Sequence, residues 1–206
     1  MAKIFSVPAR LVLAHVVDPT ARFLLRRGVT PNAVTVAGTV GVVIGALALG
    51  ARGHLVAGAL VVTFFALTDM LDGTMARMRG PAGNFGALLD SSMDRLADAA
   101  VFGAVIYYLY GQDNPYNGIV AGLICLSAGQ VVSYVKARAQ SLGLNADVGL
   151  AERAERLILV GVGGLLTGFG LDWGLPAALW LLAVLSLVTV FQRLIAAARS
   201  DKVPTE

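Results

Sequence analysis

The sequence predicts an all-α polytopic membrane protein, with six transmembrane helices behind an N-terminal amphipathic interfacial helix. Three observations carry that expectation. Of 206 residues, 57% are hydrophobic and 14% charged, against roughly 45–50% apolar and about 25% charged in an ordinary soluble domain. The mean hydropathy is +0.75. Residues 31–51, 115–135 and 173–192 contain no charged side chain, and each run meets the roughly 20 residues a helix needs to cross the hydrocarbon core. A soluble globule, a disordered chain and a disulfide-stapled secreted domain are excluded.

Residues 1–28 are basic and amphipathic, with Arg10, Arg22, Arg26 and Arg27 among Leu, Val and Phe. Pro19 is expected to divide them into two short helical pieces lying on the membrane surface. Thr30-Pro31 supplies a helix N-cap followed by proline at the first helical position. Spans are predicted at 31–51, 54–79, 84–111, 116–140, 152–171 and 174–199, separated by short Gly, Pro, Asn or Asp breaks. The whole chain, 1–206, reads as one membrane domain with 31–199 as its six-helix bundle. No group of helices repeats, which argues against an inverted-repeat transporter. Pro8, Arg10 and His15 interrupt any signal-peptide core.

With both termini on one side, that side and its adjoining helix ends hold Lys3, Arg10, Arg22, Arg26, Arg27, Arg77, Arg79, Lys136, Arg138, Arg153, Arg156, Arg193, Arg199 and Lys202. The other side holds only Arg52. By the positive-inside rule both termini are cytoplasmic and the chain lies in the cell membrane. A pI near 9.3 then reports cytoplasmic loops and contact with anionic lipid, not nucleic acid. His15 and His54 have no partners at ligand spacing, and the lone Cys125 sits in an apolar run, as a small core residue does.

The acids break the apolar pattern. Asp69, Asp72, Asp90, Asp94 and Asp98 fall inside the second and third spans. An aspartate at the centre of a bilayer helix costs roughly 2.5–3.5 kcal/mol, and such residues are functional by default. Salt bridges to Arg77 and Arg95 do not suffice, because two arginines cannot neutralise five carboxylates. Asp69 and Asp72 share a helical face, as do Asp90 and Asp94. Both pairs lie roughly 9–15 Å from the cytoplasmic helix ends at about 1.5 Å per residue. Antiparallel neighbours would therefore gather four carboxylates at one depth. All-oxygen ligation of that kind favours Mg²⁺ or Mn²⁺. Gly73, Ala76 and Gly86 stand one turn from Asp69, Asp72 and Asp90; they clear space on the acidic face, for a ligand or for close helix packing.

Together these residues spell Asp69-x2-Asp72-Gly73-x2-Ala76-Arg77-x8-Gly86-x3-Asp90-x3-Asp94. The pattern resembles the signature of the CDP-alcohol phosphotransferase family at every fixed position. The resemblance implies six transmembrane helices, a cytoplasm-facing site, two divalent ions and a homodimer. Asp69, Asp72 and Asp90 would hold one metal, and Asp69, Asp90 and Asp94 the other. Asp94 would also be the general base. Gly73, Ala76, Arg77, Gly83 and Gly86 would line the CDP-diacylglycerol site with Asn32, Ala33, Val34 and Thr35. Gly83 stands where relatives can carry a hydroxyl residue, so a side-chain contact is missing there.

Residues 30–32, 64–77, 133–138 and 152–156 look most like the actinobacterial phosphatidylinositol phosphate synthases, which join CDP-diacylglycerol to inositol 1-phosphate and release CMP. Lys136, Arg138, Arg153 and Arg156 offer the positive charge a phosphorylated acceptor needs, although positive-inside topology explains any one of them equally well. The resemblance favours Ser133, Lys136, Arg138 and Arg156 as phosphate contacts, with Arg153 and Arg193 as further candidates. Lys136 and Arg138 point about 200° apart on an ideal helix, so both reach one pocket only if the helix end unwinds. A phosphatidylglycerophosphate synthase using glycerol 3-phosphate is the alternative within the family. A divalent cation transporter would explain the acids but not the fixed glycine, alanine and arginine positions.

Overall fold

The computed structural model describes residues 7–80, 84–113 and 116–201. Among them there are no strands, and eight α-helices follow in order: α1 (Val7–Arg26), α2 (Pro31–Ala48), α3 (Leu55–Ala66), α4 (Thr68–Arg79), α5 (Asn84–Tyr110), α6 (Tyr116–Ser141), α7 (Arg153–Gly168) and α8 (Gly174–Ser200). A 3₁₀ turn at Gly50–Arg52 follows α2. The chain divides into two compact units within α5, one ending at Val101 and the other beginning at Phe102.

Four stretches are long and apolar enough to cross a membrane: Pro31–Arg52, Leu55–Arg79, Gly118–Ser141 and Gly174–Ser200. α5 is long enough at 27 residues but carries Asp90, Asp94, Arg95 and Asp98. α7 has 16 residues, which rise about 24 Å, short of the roughly 30 Å hydrocarbon core.

In the first unit α2 packs on α3 and α4, and α1 packs on α4. Glycines on one face of α2 make this possible. A Cβ at Gly38 would stand 2.1 Å from Thr68 Oγ1, one at Gly41 2.3 Å from the Phe65 ring, and one at Gly45 2.6 Å from Val61 Cγ1. Small residues of this kind let membrane helices approach backbone to backbone.

Two local features depart from expectation. The predicted second span holds as one membrane-length stretch, Leu55–Arg79, but a one-residue turn at Leu67 separates α3 from α4 within it. Thr68 Oγ1 donates back to the Phe65 carbonyl at 2.6 Å, a side-chain bond that competes with the helical ladder and bends helices. Conversely, α1 runs unbroken through Pro19, where two pieces were expected. The lost backbone donor costs about 3 kcal/mol in a helix interior. Packing holds the following turns: Ala21 is fully buried against Val34 and Met75, flanked by Leu24, Leu25, Val29 and Leu71.

In the second unit α6 and α7 both pack on α8. Leu175, Leu179 and Leu182 are fully buried, and Cys125 is a core residue whose thiol donates to the Leu179 carbonyl at 3.2 Å. A Cβ at Gly163 would stand 2.6 Å from Ala178 Cβ, whereas nothing lies within 4 Å of one at Gly161. The contrast yields a test. Gly41→Ala should lower thermal stability in detergent by about 1–3 kcal/mol through overpacking. Gly161→Ala should be neutral, or stabilising by up to about 1 kcal/mol through helix propensity.

Candidate metal centre and substrate site

The corner entering α2 is specified residue by residue. Gly28, at φ +79°, ends α1 in the left-handed conformation glycine adopts without strain. Its N–H bonds to the Leu25 carbonyl at 3.1 Å and the Val29 N–H to the Leu24 carbonyl at 3.1 Å, a Schellman termination with Val29 and Leu24 in one apolar cluster. Thr30 Oγ1 then accepts from the Ala33 N–H at 3.2 Å, and Pro31 occupies the first turn. This cap fixes where Asn32 to Thr35 sit.

From there α2 reaches both neighbouring acidic helices. Thr35 Oγ1 donates to Asp72 Oδ2 at 2.7 Å. A Cβ at Gly86 would stand 3.4 Å from Asn32 Oδ1, which places the first turn of α5 close to the Asn32 side chain. Val34 is buried in the apolar cluster; Ala33 is exposed.

Asp69, Asp72 and Asp90 each present a carboxylate oxygen, and the three oxygens lie within 4.8 Å of one another. Asp72 is buried, Asp90 half-buried and Asp69 exposed. Two unit charges 4 Å apart repel by about 4 kcal/mol at an effective dielectric constant near 20. Oxygen ligands around a divalent ion at about 2.0–2.6 Å stand at most about 5 Å apart. The donor set and its dimensions therefore fit a hard divalent cation.

Asp94, one turn beyond Asp90, lies outside that threesome among the described residues, with its Oδ2 4.0 Å from Arg95 Nη2. Arg95 also pairs with the buried Asp98 at 3.4 Å. On α4, a Cβ at Gly73 would meet only Arg77 Nη1, at 3.8 Å. Arg77 itself is exposed, and its Nη2 donates to Thr74 Oγ1 at 2.8 Å. Thr74 was not anticipated, although a hydroxyl three residues before an arginine on a helix is a legible spacing. Ala76 is half-buried. Gly83 lies outside the described residues.

The second unit holds the remaining candidates. Ser133 Oγ donates to the Gly129 carbonyl at 3.2 Å, and Arg156 lies against Gly129, its Nε 3.4 Å from where a Cβ would be. Arg156 is 1% exposed, and Arg153 is half-buried in the same first turn of α7. Helix α6 continues to Ser141 without unwinding, so Lys136 and Arg138 diverge. Lys136 pairs with Asp147, while Arg138 Nη1 reaches Ser141 Oγ at 3.4 Å. The Lys136 hydrogen bond, reinforced by its charge, holds the Asp147 carboxyl below its ordinary range. Arg193 is buried and engaged: its Nε donates to the Val148 carbonyl at 2.8 Å and its Nη1 to the Val132 carbonyl at 2.7 Å. Its Nη2 stands 3.7 Å from Glu152 Oε1.

An all-helical fold with membrane-length apolar helices and a carboxylate cluster sized for a divalent cation defines a class of integral-membrane, metal-handling protein. Residues 28–192 match the CDP-alcohol phosphatidyltransferase family, and the chain belongs to that family of transferases. The phosphatidylinositol phosphate synthase of Mycobacteroides abscessus is 49% identical over 187 residues, covering 90% of this chain and 85% of its own. That of Streptomyces avermitilis is 46% identical, covering 94% and 82%. The crystal structure of the Mycobacterium tuberculosis phosphatidylinositol phosphate synthase with CDP-DAG bound superposes with a TM-score of 0.88 at 46% identity, covering 92% of this chain and 96% of that one. The same enzyme in complex with manganese and citrate gives a TM-score of 0.86, with 90% of each chain covered.

The Thr35–Asp72 bond makes a direct prediction. Thr35→Val should weaken Mn²⁺ binding by about tenfold or more, because groups that orient metal-binding carboxylates are worth that much. Thr35→Ser should retain the affinity. Titration followed by Mn²⁺ electron paramagnetic resonance reads both.

Proposed function

We propose that this chain transfers the phosphatidyl group of CDP-diacylglycerol to 1D-myo-inositol 3-phosphate (inositol 1-phosphate) and releases CMP, as a phosphatidylinositol phosphate synthase. The carboxylate cluster of Asp69, Asp72 and Asp90, set within a chain of the CDP-alcohol phosphatidyltransferase family, carries the reading. Relatives 46–49% identical bear that name.

Asp69, Asp72 and Asp90 would hold one Mg²⁺ or Mn²⁺, and Asp69, Asp90 and Asp94 a second. Bound there, the ions supply charge neutralisation and polarisation to the donor's diphosphate. The chain's own residues do the rest. Asn32 to Thr35, at the capped start of α2, meet the donor's CDP beside Gly86, and the open face of Gly73 admits it to the backbone of α4. Arg77, steadied by Thr74, pairs with a phosphate oxygen through its guanidinium fork.

Asp94 takes the proton from the attacking inositol hydroxyl as that oxygen bonds to the β-phosphorus. The bond from that phosphorus to the oxygen of CMP breaks, and CMP leaves. Arg95, 4.0 Å from Asp94 and 3.4 Å from Asp98, orients the base. Ser133, Arg153 and Arg156 bind the acceptor's phosphate, joined by only one of Lys136 and Arg138, which diverge on the intact end of α6. Arg193, engaged with two carbonyls and Glu152, contributes by holding that region in place.

The chain works as a homodimer in the cell membrane, with both termini cytoplasmic and α1 lying at the interface. Helices α5 and α7 join the four apolar stretches as six spans, the short α7 crossing where the bilayer thins to meet it. The apolar tails of the donor stay in the bilayer, which explains a site for water-soluble CMP within a membrane protein. The same cations suit glycerol 3-phosphate, so phosphatidylglycerophosphate synthase is the second reading.

An acceptor screen on purified protein with CDP-diacylglycerol and Mg²⁺ should release CMP with inositol 1-phosphate and not with free inositol or glycerol 3-phosphate. Turnover with glycerol 3-phosphate alone would overturn the choice of acceptor. Asp94→Asn should lower the rate by about 10²–10⁴-fold, the range for loss of a general base; unchanged CMP release would remove Asp94 from the chemistry.

A further inference from the structure

We infer that Thr189, buried in the middle of α8, is a positioning residue for the acceptor site: it anchors the strap that leads into the first turn of α7 and thereby sets Arg153 and Arg156. This inference rests on the functional reading of those two arginines given above.

The Thr189 hydroxyl is saturated in three directions. It donates to the Leu185 carbonyl at 2.7 Å and accepts the Leu150 N–H at 3.1 Å and the Ala151 N–H at 3.0 Å. A hydroxyl has one proton and two lone pairs, and all three are used here at a site with no solvent exposure. The two backbone donors immediately precede the helix that starts at Arg153. They have no strand or helix ladder to join, so a single side chain 38 to 39 positions away satisfies them.

The strap is shaped to reach that hydroxyl. Gly149 has φ +148°, and a Cβ there would stand 2.5 Å from Thr189 Cγ2; only glycine combines that backbone conformation with so close an approach. Arg193, one turn along α8, grips the same strap at the Val148 carbonyl and at Glu152. Between them these two residues hold positions 148–152 from one helix. A cation cluster that recognises a phosphate must be held to within about half an ångström, and the strap determines where α7 begins.

Kinetics on the phosphorylated alcohol that supports CMP release will test this. Thr189→Val keeps the shape but leaves two buried N–H groups without an acceptor. It should raise the acceptor KM by about tenfold, with the KM for CDP-diacylglycerol unchanged. Thr189→Ser, which keeps the hydroxyl, should restore the wild-type acceptor KM. Ser186→Ala, removing a buried hydroxyl with no hydrogen-bond partner one turn earlier on α8, should leave both constants alone.

An acceptor KM within twofold of wild type in Thr189→Val, an equal rise in both constants, or a Ser variant as impaired as the Val variant would each overturn the inference. If Thr189→Val does not fold, hydrogen exchange on the wild-type protein decides. Inorganic phosphate should slow exchange at Leu150 and Ala151, because coupling between site and strap is reciprocal; unchanged exchange would overturn it. Failure of the functional reading is distinct: the wild-type protein would then release no CMP with inositol 1-phosphate, whatever Thr189 does.

Discussion

Mutual repulsion among Asp69, Asp72 and Asp90 is the constraint on which the first half of the molecule depends. Their oxygens crowd within 4.8 Å in a chain whose composition permits only 14% charge. Such an arrangement survives folding only if neighbouring structure enforces it or a cation offsets it. The enforcement is visible. Gly38, Gly41 and Gly45 seat α3 and α4 on α2, Thr68 turns its hydroxyl back onto the Phe65 carbonyl just before Asp69, and Thr35 fixes one oxygen of Asp72. The offset is a divalent ion, which is also what a diphosphate donor requires.

Helix ends were legible in the sequence because they are encoded locally. The predicted spans begin and end within a few residues of α2 through α8, since Thr-Pro caps, glycine terminations and charge-free runs act over one or two turns. The interruption at Leu67 was not legible: threonine at position 68 reads as an ordinary helix residue until its hydroxyl is seen turned back on Phe65. Pro19 misled in the other direction. A proline is a strong local signal, and here tertiary burial of Ala21 and its neighbours overrides it.

The same distinction runs through the site. Asp69, Asp72 and Asp90 were identifiable because i, i+3 and i, i+4 spacings and the rarity of intramembrane acids are both one-dimensional properties. The partners that orient functional residues are not. Thr35 meets Asp72 across 37 positions, and Arg193 meets Val148 and Val132 across 45 and 61. A positive-inside count weighs every arginine alike, and only the fold separates Arg193, turned onto backbone carbonyls, from the exposed Arg138. Lys136 likewise acquires a loop partner, Asp147, that no helical periodicity anticipates.

The central claim is that the three crowded carboxylates form a divalent-cation site on which transfer chemistry depends. Isothermal titration of Mn²⁺ into Asp69→Asn, Asp72→Asn and Asp90→Asn, each paired with its CMP release rate, tests it most directly. Each substitution should weaken Mn²⁺ binding by at least about tenfold, with CMP release falling in step. Wild-type Mn²⁺ affinity in all three variants, or full CMP release without divalent metal, would contradict it.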